Sequence, residues 1–212
     1  MKFGQRKARS ITDLIRKRYD RLAPFYDFLE MPVEKFRFSS WRNMLKDRVF
    51  GKRALEAGVG TGKNFTYYPS NVKITAIDVS PRMLDRAGKR AQALGLDVDL
   101  RQMDVQKLHF PDQSFDTVFA TFVFCSVPDP VLGLRELRRV CKPGGRLLLL
   151  EHMRPENHLL GTLFDALNPL IVTVTGANIN RKTINNINSA GWRIEKVRNL
   201  SSDIVHWIEA RP

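Results

Sequence analysis

One stretch limits what this chain can become: Leu55-Glu56-Ala57-Gly58-Val59-Gly60-Thr61-Gly62 runs from an apolar segment into a loop with three glycines. Glycine closes tight turns and lets backbones approach closely, so the loop alone reads as a structural turn or as a nucleotide-type cradle. The next apolar run, Ile74-Thr75-Ala76-Ile77-Asp78, ends in a carboxylate. In a doubly wound sheet Asp78 then stands at the carboxyl end of the strand beside the loop, where an acidic side chain accepts the hydroxyls of a ribose. The two elements together select the cradle.

Dinucleotides and S-adenosylmethionine both fit such a crevice, and spacing separates them. A dinucleotide site uses Gly-x-Gly-x-x-Gly, with helix amides facing a pyrophosphate. Here the third glycine comes one residue early and Glu56 precedes the turn. A carboxylate there repels a pyrophosphate but suits a ligand carrying an ammonium and a sulfonium, which favours S-adenosylmethionine.

From Arg53 onward strand and helix patterns alternate, the signature of a mainly parallel α/β sheet. Strands are expected near 53–57, 72–78, 97–103, 115–122, 145–151, 191–199 and 203–210, and helices near 63–68, 81–94, 130–141 and 180–190. Ser80-Pro81 reads as a helix start and Gly95 as its end. Met103-Asp104 closes the third strand, placing Asp104 on the rim shared by Asp78 and the glycine loop. There it can accept from an adenine amino group or simply turn the chain.

At 212 residues the chain has room for one α/β domain and too little for two. The net charge of +13 is concentrated early: residues 1–53 hold 15 Lys/Arg against 6 Asp/Glu. That polarity suits an anionic membrane face, a nucleic acid or a solvated helix. The nucleic-acid reading lacks a stacking signature or an added RNA-binding module, and no specific nucleic-acid partner is expected. Cys125 and Cys141 sit in apolar or helical patterns and read as reduced, which suits the cytosol. The basic start lacks the apolar core of a secretory signal. The apolar stretch Leu159 to Ala177 is interrupted by Asp165 and Asn168-Pro169, against a spanning helix. A cytoplasmic, peripheral-membrane location follows as an expectation.

Residues 1–52 are expected to form basic amphipathic helices acting as a lid or membrane contact, with 53–212 as the ligand-binding domain. Ile11, Leu14, Ile15 and Leu22 share one helical face, opposite Arg16, Lys17, Arg18 and Arg21. Pro24 is expected to interrupt this helix, and Pro32 to open a second with Val33, Phe36, Trp41, Met44 and Leu45. Tyr19-Asp20 and Tyr26-Asp27 recur seven residues apart, as packing residues or as a roof over a site.

Glu56-Ala57-Gly58-Val59-Gly60-Thr61-Gly62, Asp78-Val79-Ser80-Pro81-Arg82-Met83-Leu84, Met103-Asp104, Ser114-Phe115-Asp116 and Arg139-Val140-Cys141-Lys142-Pro143-Gly144-Gly145 together resemble a class I S-adenosylmethionine-dependent methyltransferase. Within that superfamily the chain is most similar to the ubiquinone/menaquinone methyltransferases and the bacterial phospholipid N-methyltransferases. The resemblance implies a Rossmann-like fold: a seven-stranded, mainly parallel sheet with an antiparallel last strand and helices on both faces. It implies S-adenosylmethionine held by Tyr19, Glu56, Gly58, Gly60, Gly62, Asp78, Val79, Met83, Asp104, Val105, Thr121 and Phe122. The Asn/Asp-Pro-Pro-aromatic signature of base-amino methyltransferases is replaced by Ala120-Thr121-Phe122-Val123-Phe124.

On the acceptor side, Glu151-His152 after the fifth strand and Tyr26 are candidates to orient or deprotonate an acceptor. The apolar segment after them suggests a greasy acceptor or plain helix packing. Asn178, Asn180 and Arg181 are candidates for a phosphate, since the guanidinium fork donates two bonds. Together with the basic start they make N-methylation of phosphatidylethanolamine the first reading. C-methylation of a quinone, or methylation of another small molecule at O, S or N, is the alternative.

Overall fold

A computed structural model describes the backbone of residues 2–33 and 38–212, and side chains from residue 11 except 29–33 and 174 within it. The elements follow as α1 (Lys2–Val33), α2 (Ser39–Arg42), α3 (Met44–Arg48), β1 (Arg53–Ala57), β2 (Lys73–Asp78), α4 (Pro81–Ala93), β3 (Asp99–Gln102), β4 (Phe115–Thr121), α5 (Pro130–Val140), β5 (Cys141–His152), α6 (His158–Thr175), α7 (Thr183–Ser189), β6 (Arg193–Ser201) and β7 (Val205–Arg211). The sheet order is β3-β2-β1-β4-β5-β7-β6. β7 runs antiparallel to both neighbours and the other pairs are parallel. The seven-stranded Rossmann-like sheet with an antiparallel last strand is therefore as expected.

Alternation along the central strands sends successive side chains to opposite faces. Leu147 and Leu149 pack with Leu134 and Leu137 of α5 and Ile187 of α7. Leu148 and Leu150 pack with Leu45 of α3, Val49 and Trp207. A third cluster joins Ala76 to Ala87 and Ala91 of α4. Helices of four and five residues are unstable alone, so α2 and α3 owe their place to the burial of Leu45 and Val49, about 2 kcal/mol each.

The N-terminal reading needs correction. Pro24 does not break the first helix; α1 continues to Val33. A proline inside a helix deprives the carbonyl four residues earlier of its donor. That carbonyl belongs to Asp20, and Arg82 Nη1 donates to it at 3.4 Å. The second stretch is two short helices from Ser39; Phe36 and the side chain of Val33 lie outside the described residues. The helix expected at 63–68 is one 3-10 turn, Phe65–Tyr67. The fifth strand starts at Cys141, through a register shift opposite Phe115 and Thr117. The apolar segment after it is helix α6, capped by Asn157 and closed by Gly176 at φ 81°. No helix among the described residues is long and apolar enough to cross a membrane.

Candidate functional site

The chain order reverses between β1 and β4, and a cavity opens at their carboxyl ends, the place where doubly wound sheets bind ligands. Of the twelve residues expected to hold the cofactor, ten line it: Tyr19, Gly58, Gly60, Asp78, Val79, Met83, Asp104, Val105, Thr121 and Phe122. Gly58 has φ 69°, and a Cβ there would stand 2.4 Å from Val123 Cγ2. Any side chain would both strain the turn and fill the cradle. Asp78 Oδ2 accepts from Gly60 N and Oδ1 from Ser80 N, each at 2.9 Å, so one carboxylate ties the glycine loop to the start of α4. Burial pushes its pKa up to about 6, leaving it mostly ionised at neutral pH.

Glu56 and Gly62 lie outside the lining. Glu56 is buried below the loop, accepting from Asn64 Nδ2 at 2.6 Å and from the Tyr68 hydroxyl. Burial raises it to about 7 despite those bonds and the nearby Arg42. Gly62 supports the turn at φ 80°, with the Phe65 ring 2.5 Å from where a Cβ would sit.

Arg42 is a lining residue that sequence reasoning missed. It is 5% exposed, and its Nη1 donates to Asn64 Oδ1 at 2.8 Å and Thr121 Oγ1 at 2.7 Å. Its guanidinium also lies 5.5 Å from the Phe122 ring. Asn64 thus links Arg42 to Glu56, and a buried cation borders the glycine end of the cavity, where Lys63 is also in the lining. Phe122 takes φ 58°, a left-handed conformation costing a non-glycine residue about 1–2 kcal/mol. Its ring stacks between Phe38 and His152 at centroid distances of 4.5 and 6.4 Å.

Helix α1 lies across this site, fastened among the described residues through Thr12, Tyr19, Asp20 and Asp27. Thr12 Oγ1 donates to Asp104 Oδ2 at 3.3 Å, and Gln106 Nε2 reaches both oxygens of Asp104 at 3.0 Å. The Tyr19 and Ser126 hydroxyls share a 2.6 Å bond. Ser80 donates to Asp20 at 2.6 Å. Asp27 accepts from Thr61 at 2.6 Å and from Arg90 at 2.8 Å, with Lys63 and Arg86 nearby. Burial pushes the Asp27 carboxyl up, but Thr61 and the three cations together hold it below the usual carboxylate range. Tyr26 also faces the cavity, with the Lys63 ammonium 5.3 Å from its ring.

The structure does not bring Glu151, His152, Asn178, Asn180 or Arg181 to this lining. Glu151 Oε1 accepts from Val123 N at 2.8 Å and Phe124 N at 3.1 Å, shaping the wall after β4. His152 is held low by burial, opposed by a backbone hydrogen bond to Asn178. Asn178 Nδ2 donates to Cys125 O, Asn180 Nδ2 to Asp165 and Arg181 Nη2 to Val127 O. These three border a second depression.

Burial raises Glu56 and Glu151 from 4.5 to about 7. Between these values the folded chain holds protons that the unfolded chain has lost, so their contribution is full below about 4.5 and lost as pH rises through about 7. The melting temperature is expected to fall from pH 5 to 7.5. Glu151→Gln, which still accepts both amide bonds, should flatten that fall in a calorimetric pH series.

Residues 55–149 match the family described as "Methyltransferase domain". A phosphatidylethanolamine N-methyltransferase from Cereibacter sphaeroides is 41% identical over 119 residues, 55% of this chain and 59% of that enzyme. A demethylmenaquinone methyltransferase from Thermus thermophilus is 32% identical over 152 residues, 69% of each chain. At the level of fold, a solved methyltransferase from Thermotoga maritima, titled a possible histamine N-methyltransferase, superposes with TM-score 0.68 at 22% identity. The match covers 92% of this chain and 98% of that one. The chain belongs to the S-adenosylmethionine-dependent methyltransferases. S-adenosylmethionine is the cofactor of that class, and the glycine cradle with its flanking carboxylates and cations has the chemistry to accommodate it.

Proposed function

We propose that this protein transfers methyl groups to the amine of an ethanolamine phospholipid, phosphatidylethanolamine and its methylated derivatives. The observation that carries the reading is an apolar surface beside the cavity. α6 exposes Leu159, Leu160, Leu163, Leu167 and Leu170, and α1 exposes Leu14, Phe25 and Phe28. Arg18 of α1 donates to the Val172 carbonyl of α6 at 2.9 Å, so the two helices adjoin. Exposed Lys17 and Arg21 flank the α1 stripe, each adding about 1 kcal/mol at an anionic leaflet. On this reading α1 is both lid and membrane contact.

Bound S-adenosylmethionine supplies an activated methyl group for in-line displacement, and the protein's part is largely to position the partners. Asp78 would accept from the ribose, Asp104 would accept from the adenine amino group and Met83 would lie against the ring. Gly58 and Gly60 leave room for a methionine moiety, whose carboxylate the cations of Arg42 and Lys63 would hold. An acceptor amine arriving as an ammonium has no lone pair and must lose a proton first. Apolar lining by Phe122, Val123 and Val127 favours the neutral amine. The Tyr26 hydroxyl orients it, and Tyr19 roofs the site through Ser126. Tyr26→Phe should then lower turnover about tenfold to a hundredfold, with cofactor affinity unchanged; an unchanged rate removes Tyr26 from the mechanism.

C-methylation of a prenylated quinol ring is the second reading, favoured by the Thermus demethylmenaquinone enzyme matching across 69% of both chains. The same leucine face suits a prenyl tail. Incubating the protein with labelled S-adenosylmethionine and a total membrane extract, then identifying labelled products by mass spectrometry, separates them. Label in N-methylated phosphatidylethanolamines supports the first reading, and label confined to a prenylated ring overturns it.

A further inference from the structure

Tyr19-Asp20 and Tyr26-Asp27 recur seven residues apart on α1, close to two turns, so both pairs come round to the same side of the helix. Both tyrosines line the cofactor cavity, with ring centroids 6.4 Å apart, and both aspartates reach the loops beside it. We propose that Asp20 and Asp27 are positioning residues for methyl transfer: they clasp α1 over the bound cofactor, and the clasp opens to release the spent cofactor. It acts on the donor side and is the same for either acceptor.

The two aspartates grip the two segments that Asp78 joins. Asp78 accepts from the amides of Gly60 and Ser80. Asp20 Oδ1 accepts at 2.6 Å from the Ser80 hydroxyl, the same group that caps α4 by accepting from Met83 N at 3.1 Å. Asp27 Oδ1 accepts at 2.6 Å from the hydroxyl of Thr61, the residue after Gly60. Its other oxygen takes Arg90 Nη2 at 2.8 Å and Arg86 Nη2 at 3.4 Å. A ligand that orders the glycine loop and the start of α4 therefore also orders the partners that α1 grips.

The way α1 is held lets it lift. Among the described residues none of the three apolar clusters includes an α1 side chain, and Ala23 is the one buried apolar side chain of that helix. The Asp20 and Asp27 side chains keep 16% and 28% of their surface exposed, so water can take over their bonds as they break. A segment fastened by polar contacts rather than by core packing opens at a lower free energy than the whole fold. Thr12, Ile15, Tyr19 and Tyr26 all belong to the cavity lining, so lifting α1 opens the site along its length. Once Asp27 leaves, Lys63, Arg86 and Arg90 face one another without it, and their repulsion favours reclosure.

The test uses the full chain and S-adenosylhomocysteine with no acceptor present. Asp20→Ala and Asp27→Ala put the strongest helix former into a helix, so α1 keeps its backbone. Displacement of labelled S-adenosylhomocysteine by excess unlabelled ligand should run about tenfold faster in each variant, the loss of a hydrogen bond to a charged group. Asp27→Asn, which still accepts from Thr61 but carries no charge for the arginines, should fall between wild type and Asp27→Ala. Hydrogen exchange gives a readout that a merely structural contact would not move: S-adenosylhomocysteine should slow exchange across residues 12–28 in the wild type and far less in Asp27→Ala. Wild-type release and wild-type protection by the ligand in both alanine variants, even with a lowered melting temperature, would overturn the clasp and make α1 a fixed wall. Either result leaves the phospholipid reading standing, because no acceptor takes part.

Discussion

Asp78→Ala is expected to weaken S-adenosylmethionine binding about a hundredfold or more, measured by titration calorimetry, while the chain stays folded. Asp78 stands at the end of β2 and accepts from the amides of Gly60 and Ser80. Removing it frees the glycine loop and deletes the acceptor proposed for the ribose. Hydrogen bonds to charged groups contribute about 1.5–3 kcal/mol each, and a hundredfold loss corresponds to about 2.7 kcal/mol. Asp78→Asn keeps the shape but not the charge and should fall between. Wild-type affinity in Asp78→Ala would contradict the placement of the ribose.

Arg42→Met should lower folding stability by about 3 kcal/mol and cofactor affinity about tenfold. The guanidinium is almost fully buried and is bonded to Asn64 and Thr121. Above pH 7, where Glu56 is ionised, its removal also strips that carboxylate of its counter-charge, and breaking a buried charged network by deleting one member costs about 3–5 kcal/mol. The effects separate in a double variant. Adding Glu56→Gln removes the buried charge that Arg42 offsets and should recover stability in a denaturant series, but not cofactor affinity. Recovery of both would assign Arg42 to the scaffold alone.

The strand-and-helix frame from Arg53 onward was readable because each βα step carries its own local signal: apolar runs, the Ser80-Pro81 helix start and Gly95 at its end. The glycine loop and the rim aspartates were readable for the same reason. What sequence missed depends on partners far away along the chain. α1 runs through Pro24, and the Asp20 carbonyl that the proline leaves without its helical donor is met by Arg82, sixty-two residues away. Arg42 looks like one more basic residue in a basic segment; its burial is decided by Asn64 and Thr121. Glu151 and His152 end β5 as a catalytic pair might, yet the amides of Val123 and Phe124 claim the carboxylate and the Phe122 ring stacks on the imidazole. Glu56 sits next to the glycines in sequence, but strand alternation turns it beneath them, toward Asn64 and Tyr68.

Methyl transfer to a phospholipid amine is tested most directly with defined acceptors. Phosphatidylethanolamine and demethylmenaquinol are presented at equal amounts in one population of anionic vesicles with labelled S-adenosylmethionine. Label is expected in mono-, di- or trimethylated phosphatidylethanolamine, with Asp78→Ala abolishing it at limiting cofactor. Label confined to the quinol ring would contradict it.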